Sequence, residues 1–128
     1  MTAALLLRGL LLFAPSLAHA QVTVEKIVGT WTGTIEYASS RTGPGGTTTG
    51  TLTIKPDDTW TGQSAVAGAP PAHGTYELKG NVARSVILSS VPSGWGNTVT
   101  WTFSEKDGTL TMVFERDDKN TKGTYVKK

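Results

Sequence analysis

The sequence predicts an all-β chain folded as an eight-stranded antiparallel up-and-down barrel. Two observations carry this expectation. From Ile27 onward, apolar residues recur at every second position, the period of a half-buried strand, and only a short turn near Val24–Val28 departs from it. The alternating runs are also joined mostly by short Gly, Pro and Asp turns, with none of the long crossing connections that a two-sheet sandwich uses. Eight tilted strands close around an interior that side chains just fill, or that holds one small ligand.

The runs follow in order. Thr30–Tyr37 sets Trp31, Gly33, Ile35 and Tyr37 on one face and Thr30, Thr32, Thr34 and Glu36 on the other. Gly50–Lys55 alternates Leu52 and Ile54 with threonines and Lys55, and Pro56-Asp57-Asp58 turns it. Thr59–Val66 places Trp60, Gly62, Ser64 and Val66 on one side, and Gly68–Ala72 breaks the chain. Gly74–Lys79 points Tyr76 and Leu78 inward, and Lys79-Gly80-Asn81 closes a hairpin. In Arg84–Ser90 the block Val86-Ile87-Leu88 fits either face. Thr98–Ser104 faces Val99, Trp101 and Phe103 inward, Lys106-Asp107-Gly108 turns it, and Thr109–Glu115 follows with Leu110, Met112 and Phe114. Thr121–Lys127 ends the series with Tyr125 or Val126 facing in.

Composition excludes several function classes. The 128 residues carry 12 Lys+Arg against 10 Asp+Glu, spread along the chain, which argues against nucleic-acid and anionic-membrane binding. With no cysteine, disulfides, thiolate metal sites and cysteine nucleophiles are all removed. Met1–Ala20 has one basic residue, Arg8, then an apolar block and the small-x-small ending Ala18-His19-Ala20. That is the pattern of a signal peptide cleaved before Gln21, and the block is too short for a spanning helix. Residues 21–128 are then one secreted or periplasmic barrel domain, not membrane-spanning.

Val28-Gly29-Thr30-Trp31, heading the first strand after a short turn, resembles the G-x-W signature of the lipocalins and their calycin superfamily. The hairpins Leu52–Trp60 and Gly74–Asn81, with Leu110-Thr111-Met112 and Lys122-Gly123-Thr124-Tyr125, are similar to those of small bacterial lipocalin-like secreted proteins. The resemblance implies an eight-stranded barrel that carries a small ligand under a first-hairpin lid. The chain departs from the family in its shorter length and in Lys127-Lys128, where an Arg usually covers the tryptophan. Avidins share the barrel, and Gly29-Thr30-Trp31 and Val99-Thr100-Trp101 resemble avidin segments. The polar residues that follow the first tryptophan in avidins are replaced here by Gly33, Thr34 and Ile35.

Chemistry for catalysis is sparse. His73 has no Ser or Cys partner in a motif and no second histidine at metal spacing. Asp57-Asp58 and Asp117-Asp118 do not follow the calcium-loop spacing and suit turns. No phosphate-cradling glycine loop leads into a helix. What remains is aromatic: Trp60, Tyr76, Trp101, Phe103, Met112 and Phe114 fall on inward faces, as core or as the lining of a ligand cavity. Tyr37 stands at the end of the first strand, and Arg41 lies in the Gly-rich Ser39–Thr49 connection, the lid candidate. The expected function is non-catalytic binding of a small apolar or aromatic molecule, with no cofactor and no metal. A protein-interaction module with a filled core and an exposed patch around Trp95 is the alternative, with an avidin-like binder behind it. The oligomeric state is open.

Overall fold

The structure, a computed structural model, describes residues 22–39, 44–92 and 94–128. The segment read as a signal peptide lies outside them. A single helical turn, α1 (Val24–Ile27), precedes β1 (Gly29–Tyr37), β2 (Gly46–Ile54), β3 (Thr59–Ser64) and β4 (Ala72–Lys79). Then come β5 (Val82–Ile87), β6 (Thr98–Lys106), β7 (Thr109–Arg116) and β8 (Thr121–Lys127). Each strand pairs antiparallel with its neighbours in sequence, and β8 returns to β1, from Trp31↔Lys127 to Tyr37↔Thr121, closing the barrel. Closure gives every strand a neighbour on both sides.

Alternation decides what lies inside. Trp31, Leu52, Ile54, Trp60, Tyr76, Ala83, Val99, Trp101, Phe103, Met112, Phe114 and Tyr125 are all buried. Val126, the other inward candidate of β8, is exposed. The rings form a continuous column. Trp31 lies 5.6 Å from Phe103, which meets Trp101 edge-on at 6.4 Å, and Trp101 in turn touches Trp60 at 6.0 Å and Tyr76 at 5.7 Å. Such tilted and edge-on pairs add about 0.5–1.5 kcal/mol each beyond area burial.

Two glycines make room for this column. Gly74 is the cross-strand partner of Trp60 and Gly123 that of Phe114. A Cβ on Gly74 would meet the Trp60 ring at 2.8 Å, and one on Gly123 would meet the Phe114 ring at 2.7 Å. Each aromatic is laid over a bare backbone, where a side chain would clash with it.

One end of the barrel is plugged by local structure. The side chain of Thr23 accepts from the Lys26 amide and starts α1 as its N-cap. The turn carries Ile27, fully buried, across the barrel mouth, and the Trp31 indole N–H donates to the Ile27 carbonyl at 2.9 Å. Lys127, opposite Trp31 in register, donates to the Lys26 carbonyl, and Lys26 Nζ reaches Glu105 at 3.2 Å. The tight turn Asp107-Gly108 between β6 and β7 has both residues at positive φ, the two-residue hairpin that matches strand twist.

Three expectations need correcting. β2 begins at Gly46, and Thr47, Thr48 and Thr49 pair with Glu36, Ile35 and Thr34, so the C-terminal part of the expected lid is strand. The β-branched threonines complete the ladder that β1 offers them, although polar residues on both faces hide the period. β5 spans Val82–Ile87 rather than Arg84–Ser90; the last bonds on its two sides run from the Ile87 amide to the Asn97 carbonyl and from the Leu88 amide to the His73 carbonyl. β3 stops at Ser64, which leaves Val66 exposed, while β4 starts early enough to carry His73 on its outer face.

Replacing Trp31 by Ala removes the plug's largest side chain and its hydrogen bond, and should cost about 3–5 kcal/mol in urea unfolding. Trp31→Phe keeps most of the ring volume and should lose only about 1–2 kcal/mol. Equal midpoints for the two variants would show that the indole volume is not what seals this end.

Candidate functional site

Filling stops short of the other end. A cavity of about 120 Å³ lies inside the barrel there, walled by Trp60, Ile87, Trp101, Phe114 and Tyr125, with Ser85 and Arg116 among its lining. Register explains why those two polar residues are inside. Ser85 pairs with Val99 and Val99 with Arg116, so the three form one inward row across β5, β6 and β7. Ser85 is in phase with Ala83, and Arg116 with Met112 and Phe114, which settles the ambiguous Val86-Ile87-Leu88 block with Ile87 lining the cavity.

Both polar groups are buried, Ser85 at 0% and Arg116 at 6% exposure. Ser85 Oγ and Arg116 Nε have no hydrogen-bond partner among the described residues. An unpartnered buried polar group costs about 1–3 kcal/mol, and here two such atoms line one cavity.

Other parts of the Arg116 guanidinium are engaged. It lies 5.1 Å from the centre of the Trp95 ring, and its terminal nitrogen donates to the Gly96 carbonyl. Its Nε is 3.6 Å from Asp118 Oδ1, an ion pair beyond hydrogen-bond reach. Burial draws the guanidinium below its ordinary value while Asp118 opposes the shift, and arginine keeps its charge. Asp118 in turn accepts the Gly96 amide at 2.7 Å and the Asn120 amide at 2.9 Å. Burial raises the Asp118 carboxyl, but those amides and Arg116 outweigh it, so it titrates below the usual carboxylate range. The segment between β5 and β6 is thereby pinned to the end of β7. Trp95 is half-buried against Arg116 instead of forming an exposed patch. Tyr125 is also inside, and burial pushes its hydroxyl up to about 12, so it stays protonated.

Trp60, Trp101 and Phe114 come together around the cavity. Tyr76 stacks on Trp101, but its hydroxyl donates to the Lys55 carbonyl at 2.7 Å, toward the plugged end. Phe103 lies deep against Trp31, and Met112, fully buried, is cross-strand from Phe103 and Tyr125. Tyr37 is half-buried at the far end of β1, and Arg41 lies outside the described residues. Ser85, Arg116, Ile87 and Tyr125 were missed as lining. For Arg116 a signal existed: it continues the inward phase of Leu110, Met112 and Phe114.

The acidic turns serve structure. Asp57 accepts from the amide and hydroxyl of Thr59, and Asp117 is held by Arg84 at 2.8 Å and by Thr100. A larger concavity, about 550 Å³, opens to solvent on the outer wall among Thr32, Thr34, Thr49, Thr51 and Gln63. It has hydroxyls and one amide but no aromatic or charged lining, so it offers no ring face and no charge to a ligand.

No family model and no curated protein matches the chain. The reading of the site therefore rests on its own geometry.

Two outcomes follow from this geometry. Ser85→Ala deletes an unpartnered hydroxyl and should raise stability by about 1 kcal/mol in urea unfolding; a lowered midpoint would show the hydroxyl bonded in solution. The Asp118 carboxyl, held below its unfolded value of about 3.9, contributes stability that is complete above that value and is lost as pH falls through the lower folded one. Trp95 emission should thus stay constant from pH 7 to about 5 and change below about 4. An Asp118→Asn variant should lose that step; a step of the same size in the variant would place the clamp elsewhere.

Proposed function

We propose that the protein is a non-catalytic, lipocalin-like binder of a small, largely apolar or aromatic molecule. The ligand occupies the end cavity, and the protein acts after export to the periplasm or the medium. The observation that carries this reading is the aromatic cavity left at one end of an otherwise filled barrel. A volume of about 120 Å³ is below the ~300–1,000 Å³ of drug-sized pockets, but close to the ~150 Å³ engineered apolar cavity that accepts benzene. The ligand class is therefore benzene-sized, too small for a fatty chain or a retinoid. Export rests on the leader-like first twenty residues, and the absence of a catalytic role rests on the engagement of the acidic residues in turns.

A second reading, docking to a protein, is favoured by Val113 and Val126, which stand exposed on the outer face of the adjacent strands β7 and β8. Titration with toluene separates the two. Binding in the cavity should change the emission of Trp60 and Trp101 together, and Trp101→Phe should reduce the response. Toluene that leaves the tryptophans and the cavity methyl resonances unmoved at saturation would sink the binder reading and leave the docking wall.

A further inference from the structure

The two buried polar atoms without partners specify more about the ligand than its size. Resting on the cavity as the binding site, we infer that the ligand is a neutral aromatic with one hydroxyl, a phenol-class molecule, whose oxygen sits between Ser85 and Arg116. The short Ser85 and the long Arg116 flank Val99 in one inward row, about 10 Å apart at the backbone by two strand spacings. A hydroxyl between them accepts from Arg116 Nε–H and shares its own hydrogen with Ser85 Oγ, satisfying both atoms at once.

Charge decides against an acid. Arg116 is already balanced by Asp118 at 3.6 Å, so the mouth of the cavity carries no net charge. A carboxylate would be stripped of water beside that balanced pair, with Asp118 repelling it. A plain hydrocarbon fills the volume but leaves both polar atoms unpaired. The aromatic body follows from the walls: Trp60, Trp101 and Phe114 offer ring faces and edges at the cavity.

The test compares toluene, phenol and benzoate on the full chain by calorimetry and by NMR of the Arg116 Nε–H resonance. Phenol should bind at least about 10-fold more tightly than toluene, the difference one hydrogen bond to a charged group makes. It should shift the Nε–H resonance where toluene does not. Ser85→Ala should bring phenol down to the affinity of toluene and leave toluene unchanged. Toluene binding with no advantage for phenol overturns the polar recognition while the cavity reading stands, as when a tightly held water already satisfies both atoms. Benzoate binding more tightly than phenol overturns the neutral head. No binding of any of the three overturns both readings.

Discussion

An eight-stranded barrel encloses a fixed, narrow interior, and nearly every feature of this chain answers to that volume. The column Trp31, Phe103, Trp101, Trp60 and Tyr76 fills it with rings at contact distance. The rings fit only because Gly74 stands opposite Trp60 in the column, and Gly123 opposite Phe114 beside it, and both present bare backbone. Interiors tolerate neither gaps nor excess, so the small residues are as specific as the large ones. The cavity is what remains where the column ends, bounded by the same tryptophans that fill the rest. Fold and site therefore cannot be assigned to separate residues.

Arg116 shows what keeping such a site requires. A guanidinium at 6% exposure loses most of its hydration, and an unpaired one would be strongly destabilising. The chain meets that cost locally: the Trp95 face, the Gly96 carbonyl and the Asp118 carboxylate all converge on the one group. Asp118 then bonds the Gly96 amide, so a single ion pair also fixes the segment between β5 and β6. Nε is buried without a hydrogen-bond partner among the described residues. Pinning of the mouth thus rests on one side chain.

Strand number, order and the inward face were legible because the period of two is written in apolar against threonine. Trp31, Trp101 and Phe114 each follow from it directly. Legibility failed where that contrast vanishes. Thr47-Thr48-Thr49 has no apolar member, so its pairing with β1 follows from what β1 lacks rather than from its own pattern. Ser85 and Arg116 look like surface residues by type, and phase alone places them inside. The role of Trp95 depends on a contact with Arg116 some twenty residues away, which no local pattern encodes. Lys127, cross-strand from Trp31, donates to the Lys26 carbonyl and helps close the plug, a contact 101 residues apart that no local pattern shows.

The two barrel ends are held by different physics. The plugged end is sealed by burial: Ile27 and Trp31 are fully enclosed, and the indole hydrogen bond lies in the dry interior. Large buried side chains of this kind contribute several kcal/mol each. The cavity end is held chiefly by exposed or rim polar contacts, Arg84 with Asp117 and Asp118 with the Gly96 amide. Exposed ion pairs contribute about 0–1 kcal/mol each and weaken with salt. The cavity end thus rests on weaker individual contacts than the plug does, except at Arg116, whose buried guanidinium ties Trp95 and Gly96 to the end of β7.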